Sequence, residues 1–136
     1  MDPLSGAASI IAIVEIAGTV ISYLANVKDA PKGCRECTVE ICNSIPLLHQ
    51  INDRLSKASS LEPRYAEIHA LEVKDGPLDQ YKQALQHLVA KIEPKSKLGK
   101  LANALTWNFV KEEVASILAR IERLKSHVSL ALQMDG

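Results

Sequence analysis

With 136 residues, 47% of them hydrophobic, the chain has apolar material for one core, while six glycines, six prolines and five aromatic residues argue against a disordered tail or an aromatic-rich β-sandwich. Sixteen Lys and Arg balance sixteen Asp and Glu, so neither a basic field nor a set of stacking platforms is on offer to nucleic acid. Three cysteines, an odd number, and an opening without a basic, cleavable leader argue against a secreted disulfide scaffold and make the cytoplasm the expected compartment.

Residues 1–27 carry only Asp2 and Glu15 as charges. Asp2 can cap and Pro3 can open a first turn, which predicts an apolar helix near 4 to 26. At 1.5 Å per residue it would reach roughly 33 Å, about the hydrocarbon thickness of a bilayer. The run Asn26, Asp29, Ala30, Pro31 ends it. A second stripe, Cys34, Cys37 or Thr38, Ile41, Ile45, Leu48, Ile51 and Leu55, keeps helical spacing from about 33 to 57, with Pro46 expected to bend that helix and not to end it. Tyr65, Ile68 and Leu71 could form a short helix, and Lys74-Asp75-Gly76-Pro77 reads as a turn. Leu78, Tyr81, Leu85, Leu88 and Ile92 predict a third helix over 78 to 93. Leu98, Leu101, Ala102 and Leu105 add a turn or two, and Val110, Val114, Ile117, Ile121, Leu124 and Val128 predict the last long helix, 109 to 133. Asn108 is placed to cap it, with Glu112 and Glu113 in its first turn. The expected fold class is all-α: a single domain over 1–136, a helical bundle of four main helices plus short helical segments.

Little in the chain promises bond-making chemistry. It has no nucleophile elbow, no phosphate-cradling loop and no metallopeptidase His-Glu pair, so no enzyme, cofactor or catalytic residue is expected. Cys34-Arg35-Glu36-Cys37 has the spacing of a redox pair or of half a zinc site. Zinc needs ligands converging from at least two directions, so buried packing residues and no structural metal are expected there. His49, His69, His87 and His127 are scattered and read as helix-surface residues. Lys95, Lys97 and Lys100 are either a solvated loop or contacts for anionic lipid head groups.

The N-terminal helix has two readings. It is a central bundle helix covered on every face, or a bundle helix able to leave and enter a membrane. Its bilayer-matched length, its place at the chain's start, and small residues four apart (Ser5 and Ser9, Ala8 and Ala12, Gly18 and Ser22) favour the second. Its candidate insertion residues are Leu4, Ile10, Ile11, Ile13, Val14, Glu15, Ile16, Gly18, Val20, Ile21 and Leu24. In a resting soluble state the large apolar ones are expected to be mostly buried.

Several blocks taken together resemble a known family: the opening MDPLSGAAS from Met1 to Ser9, VKDAPK from Val27 to Lys32, and Trp107-Asn108-Phe109 followed by Lys111-Glu112-Glu113. The run RIERLK from Arg120 to Lys125 and Leu130-Ala131-Leu132 complete the set. In this order they are similar to the HeLo-like N-terminal domain of fungal STAND (NLR-like) proteins, over essentially the whole chain. The family reads Trp-Pro-Phe at the motif carried here by Trp107 and Phe109, and has a neutral residue where this chain has Glu15. The resemblance implies a cell-death or heterokaryon-incompatibility effector, cytoplasmic at rest. It would be clustered by self-association through a downstream STAND/NACHT or repeat module and would then insert its N-terminal helix into the lipids of the plasma membrane to form pores. A soluble adaptor bundle that recruits a partner helix or assembles homotypically is the alternative.

Overall fold

The computed structural model describes residues 4–57, 70–92 and 107–133, with side chains described from Ile10 in the first helix and as far as Leu55 in the second. Four long helices occur among the described residues: α1 Leu4–Ala25, α2 Lys32–Lys57, α3 Pro77–Ile92 and α4 Lys111–Gln133, with no strand. The all-α bundle is therefore as the apolar stripes predict. Each helix sends a residue inward every third or fourth position. Ile10, Ile13, Ala17, Val20 and Leu24 of α1 meet Cys34, Cys37, Ile41, Leu48 and Ile51 of α2. Opposite stand Leu78, Tyr81, Leu85 and Leu88 of α3 with Ile117, Ile121, Leu124 and Val128 of α4. Both α1 and α4 pack against α2 and α3, which sets α1 diagonally across the core from α4.

The connections follow from local chemistry. Asn26 N–H bonds the Tyr23 carbonyl at 3.0 Å and Val27 N–H the Leu24 carbonyl at 3.2 Å, closing α1. Asp29 then takes a left-handed φ of 53°, and the Pro31 carbonyl accepts from Arg35 N–H at 3.1 Å to open α2. Pro46 lies inside α2 without ending it. Two residues before it, Ser44 donates to the Ile41 carbonyl at 2.7 Å and is hydrogen-bonded to the Tyr81 hydroxyl, which ties α2 to α3 in the core. Burial pushes the Tyr81 hydroxyl up to about 12, so it stays protonated in this bond. The expected turn before α3 is present. Asp75 has φ 60°, and a Cβ on Gly76 would lie 2.8 Å from the Val73 carbonyl oxygen, so only glycine fits that approach.

Two sequence expectations need correcting. Asn108 does not cap α4. The helix starts at Lys111, the Val110 carbonyl accepts its first bond from Val114, and Glu113 Oε1 reaches back to Val110 N–H at 3.0 Å. A glutamate at the third helical position does the capping because it can accept from the free amide while also meeting cations from α3. The second concerns α1: among the described residues it packs against α2 and α3, and Ile11, one of the large apolar residues expected to be buried, is half exposed. The short helix expected around Tyr65 and Ile68, and that around Leu98 to Leu105, lie outside the described residues.

Candidate functional site

The candidate site is α1 and the seat that holds it. Of its candidate insertion residues, Ile10, Ile13, Val20 and Leu24 are at most 3% exposed, Val14, Ile16 and Ile21 are partly buried against the core, and Ile11, Glu15 and Gly18 face outward. The side chain of Leu4 lies outside the described residues, as do Lys95, Lys97 and Lys100. The exposed strip of α1 continues through Ala12, Thr19, Ser22 and Ala25, so Glu15 is its single charge. Around Gly18 a Cβ would meet nothing within 4 Å. Beside this strip, Ile16 and Thr19 of α1 face Gln86, Val89 and Ala90 of α3 across a groove of about 390 Å³.

Burying the four large inward side chains of α1 is worth about 1.5 to 3 kcal/mol each before entropy is counted. Polar ties are few. Among the described residues no ion pair joins α1 to another helix; one weak bond, from Cys34 Sγ to the Leu24 carbonyl at 3.9 Å, runs across to α2. The other three helices are pinned by charge. Lys125 of α4 bonds both carboxylate oxygens of Glu40 on α2 at 3.0 and 3.1 Å, and the Glu40 hydrogen bond raises the lysine above its ordinary range. Glu113 of α4 takes Lys91 Nζ of α3 at 2.7 Å and is hydrogen-bonded to His87 Nε2 at 2.8 Å. These contacts, with Lys91 first and the Val110 amide next, hold the Glu113 carboxyl down to about 2.

The aromatic motif packs into that same corner. Lys91 Nζ lies 4.7 Å over the Phe109 ring, His87 meets the ring edge-on at 5.6 Å, and Trp107 lies against it at 4.4 Å. Trp107 and Phe109 thus fasten the approach to α4 onto α3, and they form part of a groove of about 510 Å³ that also meets Pro31, Gly33 and Leu118. Sequence reading treated His87 as a plain surface residue and missed Glu113 as the hub. A glutamate three residues past a helix start was the available signal, but its partners lie on another helix.

Cys34 and Cys37 are buried and Cys42 is exposed. Among the described residues no group of three His, Cys, Asp or Glu could hold a metal ion. Among the same residues no helix is long and apolar enough to cross a membrane: the part of α1 with described side chains, from Ile10 to Ala25, is about 24 Å of helix. No family model matches this chain, and neither does any curated protein or solved structure.

Proposed function

We propose that this chain is a non-enzymatic, HeLo-like effector domain of an NLR-like receptor: a resting cytoplasmic bundle that releases α1 into the plasma membrane when a downstream module clusters several copies. The observation that carries this reading is how α1 is held. It has no cross-helix ion pair among the described residues, whereas α2, α3 and α4 are joined by the Lys125–Glu40 and Lys91–Glu113 pairs. A helix seated by apolar contacts exchanges one apolar environment for another on entering a bilayer. A helix pinned by charge must first break ion pairs that lipid cannot replace. Once α1 leaves, its freed inner face presents continuous apolar surface, while its exposed strip is apolar or small, interrupted in the described stretch by Glu15 and the hydroxyls of Thr19 and Ser22.

Glu15 sets the form of insertion. Exposed in the resting bundle, it would sit near the bilayer midplane, where an acidic group costs about 3 kcal/mol. An oligomer that turns Glu15 toward a wet lumen avoids that cost, so pores are favoured over single inserted helices. Gly18 and Ser22 allow the close helix approach such an oligomer needs.

The test is dye leakage from vesicles containing phosphatidylserine. Removing residues 1–25 would also strip the core of Ile10, Ile13, Ala17, Val20 and Leu24, so a tether is cleaner. With Cys42→Ser in the background, Thr19→Cys and Gln86→Cys joined by a short bismaleimide clamp α1 to α3 across their shared groove. The clamp is expected to abolish leakage, and Glu15→Gln in the unclamped chain to lower the protein concentration needed. Leakage that ignores both changes removes α1 from the mechanism, and no leakage from any sample leaves the adaptor reading.

A further inference from the structure

The first turns of α2 hold two thiols that the proposed function leaves idle. Cys34 and Cys37 are 1% and 0% exposed. One helical turn apart, their Cα atoms stand about 5 Å from each other by helix geometry, inside the Cα span of a disulfide, while their Cβ atoms must close from about 5–6 Å to about 4 Å, so the first turns of α2 have to loosen for the bond to form. Over Cys34 lies the end of α1, whose Leu24 carbonyl accepts from the Cys34 thiol. Burial raises the Cys34 thiol and pushes Cys37 up to about 12, so both are inert while covered. Thr38 and Arg35 pull Cys34 the other way, and Cys34 sits in the first turn of a 26-residue helix, at its positive end. Once the cover is gone those influences favour the Cys34 thiolate, while Glu36 still acts against a thiolate at Cys37.

We propose that Cys34 and Cys37 form a cryptic dithiol sealed by α1, which a low-molecular-weight disulfide such as oxidised glutathione closes to a Cys34–Cys37 disulfide after α1 leaves its seat. This rests on the release of α1 but not on its entry into lipid. In the open state Cys34 loses its proton to solvent, and its thiolate attacks one glutathione sulfur. A mixed disulfide forms and one glutathione thiolate departs. The Cys37 thiolate then attacks Cys34 Sγ, forming the protein disulfide and expelling the second glutathione thiolate. Two protein thiols are oxidised and one glutathione disulfide is reduced to two thiols. The product has no S–H to return to the Leu24 carbonyl, so α1 re-seats without that bond.

Alkylation of the full chain with N-ethylmaleimide, followed by mass spectrometry, tests this. The variants are Leu24→Ala, which loosens the cover, and Ala131→Cys, a thiol in the α4 part of the core that reports global unfolding. Cys42 is expected to react at once in every sample that retains it. Leu24→Ala should speed labelling of Cys34 and Cys37 roughly thirtyfold or more, well ahead of Ala131→Cys in the same background, and oxidised glutathione should then link Cys34 to Cys37. Labelling that rises only in step with Ala131→Cys overturns the proposal, as does glutathione left on Cys34 with no link to Cys37. If Leu24→Ala does not fold, the bismaleimide clamp between positions 19 and 86 takes its place. The clamp must slow labelling of Cys34 and Cys37, and an unchanged rate overturns the proposal. Leakage read on the same samples separates the two ideas. Dithiol exposure without leakage supports this inference and removes the membrane step, whereas leakage without dithiol exposure does the reverse.

Discussion

Viewed from the core, α1 and α4 are alike, each burying a residue every third or fourth position with Leu24 and Leu124 near their C-terminal halves. Viewed from solvent they diverge. α4 exposes Lys111, Glu112, Glu122 and Arg123 and is tied to both neighbours through Lys125 and Glu113. α1 exposes Ile11, Ala12, Gly18 and Ser22 around the single charge of Glu15. Equal burial therefore does not mean equal attachment. Apolar packing resists separation in water but not in lipid, whereas an ion pair between helices ties them in register and is lost in either direction of escape.

The sharpest way to break this comparison is one chemical change made on each side. Leu124→Ala and Leu24→Ala remove the same atoms from sites that are 1% and 3% exposed. Leu124→Ala is expected to lower global stability by about 2 to 5 kcal/mol in urea denaturation. Leu24→Ala should lower it less and should selectively speed hydrogen exchange of α1 amides, the mark of local opening. If exchange in α4 rises as much as in α1 for Leu24→Ala, the bundle opens as one unit and α1 has no separate release.

Smaller effects sharpen the same contrast. Tyr81→Phe removes the buried bond to Ser44 that joins α2 to α3, and should cost about 1 kcal/mol without selectively freeing α1 amides. Gly18→Ala fills open space on the exposed strip of a helix, so it should stabilise the resting bundle by about 0.5 to 1 kcal/mol in the same denaturation measurement. Among the described residues the acid-side pH dependence comes from the pinned side. Glu113 is held at about 2 against an ordinary 4.5, so its contribution is complete above 4.5 and is lost as pH falls from there toward 2. Glu113→Gln should flatten that part of the acid-denaturation curve and leave α1 exchange unchanged.

How much of this could be read in the residues depends on whether the signal is local. The four stripes predicted the four helices because apolar spacing is a property of one segment at a time. The turn at Asp75 and Gly76 was legible for the same reason. The half-exposed Ile11 was not: Glu15, Thr19 and Ser22 mark the outer face of α1, but an isoleucine on that face carries no sign that it is left uncovered. Asn108 is locally a good cap, yet Glu113 takes the role because Lys91 and His87 of α3 help to place its carboxylate. Those pairings join residues more than twenty positions apart, and no spacing rule within a helix registers them. Burial of Cys34 and Cys37 was expected from residue type, but the contact between Cys34 and the Leu24 carbonyl is a product of the fold.

The corner between α1 and α2 gives the bundle an elastic element. Asp29 is held at φ 53°, a twist that a residue bearing a Cβ resists by about 1 kcal/mol, while Pro31 just beyond fixes its own φ and stiffens the joint. If α1 is released as proposed, this corner is where the chain would turn, and a swing that moved Asp29 out of the left-handed region would recover that small cost at the hinge itself. A glycine at this position has no such cost to recover and would leave the same corner slack.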